Sequence, residues 1–531
     1  MKSFKQGMVS TAQTEATAVG LNTLQRGGNA VDAAIAISFM LTVTEPQNSG
    51  LGGGGFWTVW LAKEQRAFFL DFRNASPAAA LPEIYYRPDR TLADLTQTGP
   101  LAVAVPGMPR GLAHAAARYG DIARHDLASL IDPAIHCAAN GFTIYPYMAR
   151  VLSSQRDRLL QTASTAAIYA GPEATLAAGQ TLRNPHLAAS LRQIRDEGLE
   201  TLSSGPLAER IAAYLAANGG LVALADMAAY QPIERELLRG SYRGHEIWTA
   251  PPPSAGGIRL LQVLNFMEQF PIGELGHNSA ATLHVIAEAL KHSRAACDHF
   301  IADPLSAPDA PVAELIDKAW ALARQADFAA DRAAAHSYLD AGSPDNGGHT
   351  THFSVMDPWG NIVAATQTQG ISFGSAVVAG DTGLLLNGEM NDFDPDPANV
   401  NAVRPHRRPR SNMCPTIVRQ DGETVLVVGA PGGTRIPSAV IQAISNVLDH
   451  GLPLQAAADA PRIHWEPGML HVEDAIRPDV ITTLRDLGHP LNLRPTPDVY
   501  FAAIHAIQHD PATGELSGAA DRRLDGNVLG Y

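Results

Sequence analysis

A layered α/β sandwich with antiparallel sheets is the fold class predicted here, and three features of the sequence predict it. Two hairpins are signalled in the last third of the chain. Residues 351–356 and 362–366 flank Asp357-Pro-Trp-Gly-Asn361, and residues 416–418 and 424–428 flank Asp421-Gly422. Two further strands are expected at 56–61 and 67–72, far from these in the chain. Between them, from about residue 107 to 328, the pattern is mostly helical. Strands in both halves joined by hairpins and separated by helices fit stacked layers rather than a parallel doubly wound sheet.

Taken in order, residues 15–26 read as a helix that stops at Gly27-Gly28, where a left-handed cap is needed. Asn29 is placed to cap a second, alanine-rich helix running to about Val43 and stopped by Pro46. That helix is apolar on nearly all sides, which predicts burial. Gly52-Gly-Gly-Gly55 leads into the first strand, and residues 282–300 form the clearest helix of the middle region. Residues 340–348 are small and turn-forming and read as an exposed loop ending in Asn346-Gly-Gly348. A helix is expected at 436–450 and a late strand at 500–507.

The chain has 531 residues, 46% of them hydrophobic, which suits a large globular enzyme. Its net charge of −14 argues against nucleic acid as a partner, because phosphate binding needs a surplus of Lys and Arg. The basic cluster Arg404–Arg410, with four Arg and one His, reads as a solvated loop. Three scattered cysteines, Cys137, Cys297 and Cys414, imply neither a disulfide framework nor a zinc site. No secretory h-region comes after Met1, and the longest apolar run is too short to span a membrane. The chain as written therefore reads as cytoplasmic, with a periplasmic or secreted location as the alternative if a signal has been removed.

Four segments carry possible chemistry. His349 precedes Thr350-Thr-His-Phe-Ser-Val355, which opens a strand. A Thr hydroxyl is a weak nucleophile unless a base takes its proton, and a Thr at a new chain N-terminus carries that base as its own α-amine. Cutting His349–Thr350 would expose it; an ordinary strand start is the other reading. Gly429-Ala-Pro-Gly-Gly-Thr-Arg435 lies between a strand and a helix, where free backbone N–H groups can hold an oxyanion, hold a phosphate, or simply turn the chain. Asn387-Gly-Glu-Met-Asn-Asp-Phe393 offers two acids that could clamp an ammonium, or a solvated loop. Arg73 comes at the end of a strand and reads either as a carboxylate ligand or as a surface ion-pair residue.

In combination and in order, these segments resemble the γ-glutamyltransferase family. The resemblance begins with Gly27-Gly-Asn-Ala-Val-Asp-Ala-Ala34 and Leu51-Gly-Gly-Gly-Gly-Phe56. It runs through Val105-Pro-Gly107, Pro251-Pro-Pro-Ser-Ala-Gly-Gly-Ile258 and Thr350-Thr-His352. It closes with Arg408-Pro-Arg-Ser-Asn-Met413, Pro431-Gly-Gly433 and Gly518-Ala-Ala-Asp-Arg522. It implies an N-terminal-nucleophile αββα sandwich of two stacked, largely antiparallel sheets, with extra helices in the first part. It implies self-cleavage into a large subunit, residues 1–349, and a small subunit, residues 350–531. By motif, Thr350 matches the nucleophile and Thr368 a hydroxyl supporting it. Gly432 and Gly433 match the oxyanion hole. Arg73 and Ser411 match groups that hold the α-carboxylate of a γ-glutamyl substrate, and Glu389 and Asp392 groups that hold its amino group. The acceptor is implied to be water, an amine or a peptide, and neither cofactor nor metal is implied.

Three departures bear on substrate choice. Gly370 stands where glutathione-binding relatives usually have Asn, Asn412 stands where a second Ser is common, and the stretch from Phe393 to Arg408 is short where many relatives carry a lid. They leave a β-lactam (glutaryl or cephalosporin) acylase, or a peptide-type γ-glutamyl hydrolase, as the alternative on the same fold. Gly370-Ile-Ser-Phe-Gly374 has the letters of a serine-hydrolase elbow, but the next residues, Ser375-Ala-Val-Val-Ala-Gly380, do not read as a helix.

Overall fold

The computed structural model describes residues 4–86, 96–121, 126–170, 176–334 and 349–531. In chain order the strands of its two main sheets begin with β1 (Met8–Thr11), β2 (Gly54–Leu61), β3 (Arg66–Phe72), β4 (Ile233–Arg235), β5 (Leu238–Tyr242) and β6 (His245–Thr249). They continue with β7 (Thr350–Met356), β8 (Ile362–Thr368), β9 (Thr416–Gln420), β10 (Glu423–Gly429), β11 (His505–Asp510), β12 (Glu515–Ala520) and β13 (Asn527–Gly530). One sheet has seven strands in the order β13-β1-β7-β8-β2-β3-β4, and the other six in the order β12-β11-β10-β9-β6-β5. Both are antiparallel throughout.

The helices that matter for the site are α1 (Thr14–Gln25), α2 (Ala30–Thr44), α3 (Gly256–Met267), α4 (Ala280–Phe300) and α5 (Ile436–Leu448). Period-two alternation sorts the seven-stranded sheet between two cores. Trp57 and Val59 of β2, Phe353 and Val355 of β7, and Val363 and Ala365 of β8 pack with α1 and α2. Phe56 and Trp60, Met356, and Ile362 and Ala364 pack instead with β9, β10, β11, α3 and α5. The layers are therefore helix, sheet, sheet, helix. Every residue of α2 is buried, as its composition predicts. Its start is held by an Asn29–Asp32 capping box and by the hairpin turn, where Asp357 Oδ2 accepts from Ala30 N at 2.9 Å. No described helix is long and apolar enough to cross a membrane.

The central region is mostly helical, as expected, and also holds β4, β5 and β6, with β4 and β5 as sheet edges. One sequence expectation needs correction. The late strand begins only at His505: Asp498 accepts from Tyr500 N at 3.0 Å and winds residues 499–501 into a helical turn, after which Ala502 sits at φ +64°. The apolar run there is buried, but on a bend. The loop expected at 340–348 lies outside the described residues.

Candidate active site

Thr350 opens β7 and pairs in register with Thr368, the last residue of β8. The two side chains meet at Oγ1–Oγ1 3.3 Å, and the Thr368 hydroxyl donates to the His349 carbonyl oxygen at 2.7 Å while accepting from Gly370 N at 2.9 Å. The nucleophile candidate, the carbonyl before it and a donor on that carbonyl thus converge. The glycine run explains part of this closeness: a Cβ on Gly53 would lie 2.2 Å from the Thr368 carbonyl oxygen. One consequence is testable. Thr368→Ala removes the donor on the His349 carbonyl, and cleavage of freshly made precursor, tracked on denaturing gels, should slow by about 10²-fold, the cost of one oxyanion-type donor.

His349 lies against Tyr147, with Nδ1 and the phenol oxygen 3.1 Å apart. Burial and the Arg158 guanidinium push its imidazole down to about 4. It is therefore neutral at ordinary pH, and cleavage rates should show no step near the usual imidazole value of about 6.5. A rate profile that halves there would contradict this. His352 stands two residues further along the strand, buried between the sheets, with Nδ1 2.8 Å from Thr366 Oγ1 and Nε2 3.2 Å from Ser354 Oγ.

The Gly429–Arg435 segment joins β10 to α5 through a short helical turn, Gly433–Arg435. Gly429 has no room for a side chain because the His352 ring fills it, at 2.2 Å from a Cβ. Gly432, at φ +133°, backs onto Ala502. At the first residues of a helical turn the N–H groups have no intrahelical acceptor, and Gly433 lines one cavity with Thr350, Gly432 another with His349 and Thr350.

Arg73 leaves β3 into the interior and is only 2% exposed, so the surface reading does not hold. Its guanidinium meets Glu389 Oε2 at 2.8 Å and Asp392 Oδ2 closer still. Burial pushes the Glu389 carboxyl up, against the pull of Arg73. The 387–393 segment is likewise no solvated loop, because Asn387 and Glu389 are fully buried. The Asn387 side chain accepts from Ala104 N and Glu389 N and donates to Gly52 O and Ala104 O, which ties the acids to the glycine run. Ser411 Oγ accepts from Met413 N at 3.2 Å, and Asn412 Oδ1 is buried without a hydrogen-bond partner among the described residues. Gly370 sits at φ +86°, and a Cβ there would lie 2.9 Å from Glu389 Cγ and 3.2 Å from the Gly388 backbone. The local backbone in this chain is shaped for glycine, so a side chain there would have to displace Glu389.

A cavity of about 330 Å³ gathers Thr350, Thr368, Gly370, Gly433, Arg73, Asp392, Ser411 and Asn412. Glu389 reaches it through Arg73. The same cavity is lined by Arg259, Arg294, Asp298 and Arg410, which the sequence reading missed. Signals existed: an Arg inside the apolar helix α3, and Arg294 and Asp298 one turn apart on α4. The basic cluster is also corrected. Arg408 is buried and meets Asp71 Oδ2 at 2.6 Å, and Arg410 faces the cavity, so only its outer members are solvated. The Ser372 elbow leads into the strand Val377–Val378 and not into a helix. Among the described residues one group has metal-ligand character, His284, Glu288 and His489, brought together across about 200 residues of sequence. There His284 Nδ1 lies 2.8 Å from His489 Nε2, and Lys291 Nζ already pairs with Glu288 at 2.6 Å.

The family model described as gamma-glutamyltranspeptidase matches residues 16–531. The chain is 37% identical to a glutathione hydrolase proenzyme of Escherichia coli, over 99% of this chain and 92% of that protein. It is 38% identical to an acylase ACY 1 proenzyme of Pseudomonas sp. strain V22, over 99% and 93%. Its fold superposes on a cephalosporin acylase from Bacillus halodurans with a TM-score of 0.90 at 28% identity, covering 100% of this chain and 96% of that one. A Thr at a strand start beside a glycine turn and a buried Arg–Glu–Asp cluster, in a chain matched along nearly its whole length, has one consistent reading: the chain belongs to the gamma-glutamyltranspeptidase family.

Proposed function

We propose that this chain is a self-processing amidase and acyltransferase that hydrolyses or transfers γ-glutamyl groups from amides such as glutathione or related compounds. The observation that carries the reading is the Thr350–Thr368–His349 contact. In it Thr350 Oγ adds to the His349 carbonyl carbon, and the Thr368 hydroxyl and Gly432 and Gly433 N–H groups stabilise the oxygen that becomes negative. The C–N bond breaks, the amine takes the proton, and an ester to Thr350 Oγ remains. Water hydrolyses it, leaving residues 1–349 with a terminal carboxylate and residues 350–531 with a free α-amine on Thr350.

That amine is the base for the second reaction. It takes the Thr350 hydroxyl proton as Oγ attacks the γ-carbonyl of the substrate, and returns it to the departing amine. Water or an acceptor amine then releases the acyl group. The α-amino acid head fits the buried charges: Arg73 and the Ser411 hydroxyl face its carboxylate, and Glu389, Asp392 and Asn412 Oδ1 face its ammonium. Binding lets each member of the Arg73–Glu389–Asp392 cluster trade a protein partner for a substrate partner of the same sign.

The acylase alternative is favoured by one observation, the tight Gly370 backbone, which supplies no side-chain acceptor for the amino group. Hydrolysis of a γ-glutamyl anilide against a glutaryl anilide separates the two. The glutaryl compound lacks the ammonium, and losing a charge-assisted hydrogen bond costs roughly 1.5–3 kcal/mol. The γ-glutamyl donor should therefore lead by about ten-fold or more in kcat/KM, and the opposite order would establish the acylase reading.

A further inference from the structure

The γ-glutamyl head as proposed uses one arginine, yet the cavity that contains Thr350 is lined by three more. Arg259 comes from α3, Arg294 from α4, and Arg410 from the loop that carries Ser411. All three converge on a single carboxylate, Asp298: Arg259 Nη2 at 3.0 Å, Arg410 Nη2 at 3.4 Å, and Arg294 Nε in closer contact. Three guanidinium groups on one carboxylate leave an excess of positive charge. The remaining contacts of the Arg410 guanidinium are backbone carbonyls, of Cys297, Asp298 and Ile301. The neighbouring Cys297 thiol is pushed up to about 11 and adds no negative charge.

Arg259 is the informative member. It is 6% exposed and lines the cavity, and its Nε has no hydrogen-bond partner among the described residues. A nearly buried guanidinium at a cavity wall is stabilised by an anion placed in that cavity. Burial and Arg294 both press against its charge while Asp298 supports it. An incoming anion would relieve that imbalance. The cluster is also next to the head-group residues: Ala255 N donates to Ser411 O at 2.8 Å, and a Cβ on Gly256 would lie 2.2 Å from Asn412 O, so α3 starts directly behind them.

We propose that Arg259, Arg294 and Arg410 form a second anion subsite, which takes a second carboxylate carried by the substrate in addition to the one facing Arg73. The assignment rests on the γ-glutamyl reading above. The carboxylate can arrive on the departing amine, as in γ-glutamyl-glutamate, or on the accepting amine.

Three donors test it, with release of the N-terminal glutamate as the readout: a γ-glutamyl anilide, the same compound with a carboxylate on the aniline ring, and a γ-glutamyl-γ-glutamyl anilide, whose second carboxylate lies on the departing amine. Wild-type protein should prefer at least one carboxylated donor by about ten-fold in kcat/KM, chiefly through KM, as one charge-assisted pair predicts. Arg294→Gln and Arg410→Gln should each erase most of that ratio, and Arg410→Lys should restore part of it. Which carboxylated donor loses its advantage tells how far from the scissile bond the second anion sits. No preference in wild type, or equal losses on all three donors, would overturn the subsite. If wild type hydrolyses none of the three, the Thr350 reading fails instead. The subsite is then judged by calorimetry of γ-glutamyl-glutamate on Thr350→Ala protein, where adding Arg294→Gln should weaken binding about ten-fold if it exists and leave it unchanged if it does not.

Discussion

Replacing Thr350 by Ala should leave a single 531-residue chain with no measurable amidase activity. In the proposed mechanism the substitution removes the oxygen that attacks the His349 carbonyl, and with it both self-cleavage and the atom that would carry the acyl group. Removing a nucleophile of this kind costs about four powers of ten or more in kcat. The side chain is small and buried at a strand start, so folding should be little affected, and the circular dichroism of the variant should match that of wild type. Intact mass reads the result directly. Efficient cleavage of the Ala variant at the same bond would remove Thr350 from the mechanism, and Thr350→Ser, which keeps a hydroxyl, should still cleave.

The second large effect is expected at Arg73. Arg73→Lys keeps the charge but loses the planar fork that meets Glu389 and Asp392 from two nitrogens. A γ-glutamyl anilide should then show a KM raised by about 10²-fold while self-cleavage continues, because the polar partners of Arg73 do not include His349 or Thr368. Arg73→Ala is a harsher change. It leaves Glu389, fully buried, without its cation, and breaking a buried pair in this way destabilises a protein by about 3–5 kcal/mol. Thermal melting should separate the two variants, with Lys near wild type and Ala well below it. Unchanged KM in the Lys variant would mean that Arg73 holds up the acids and does not touch substrate.

Local signals in the sequence were strong where a segment's own chemistry decides its shape. The Asn29 cap, the all-apolar α2, both hairpins and the strand–glycine–helix passage at Gly429–Arg435 arise from turn and cap chemistry within a few residues. The strands β4 to β6 were hidden because they lie among helices. Although β5 and β6 pair with each other, β4 and β6 join their sheets through partners more than 150 residues away. Charge was read least well. Arg73, Glu389 and Arg408 each resemble surface residues in isolation, and their burial depends on partners from other segments.

By itself, the sequence determined the fold class, the family through its ordered motifs, and the candidate nucleophile, because each is written in contiguous residues. The tertiary structure decided which distant groups share a cavity. Thr350 meets Thr368 through strand register, Arg73 meets Glu389 and Asp392 across more than 300 residues, and Arg259, Arg294 and Arg410 meet on Asp298 from three separate segments. It also decided that the backbone at Gly370 suits glycine, since its φ is positive and a Cβ there would press on the Glu389 side chain and the Gly388 backbone. The physical reason is common to all of these. A charge or hydroxyl acquires its role from the field and the partners that the fold brings within a few ångströms, and those partners are not its neighbours in the chain.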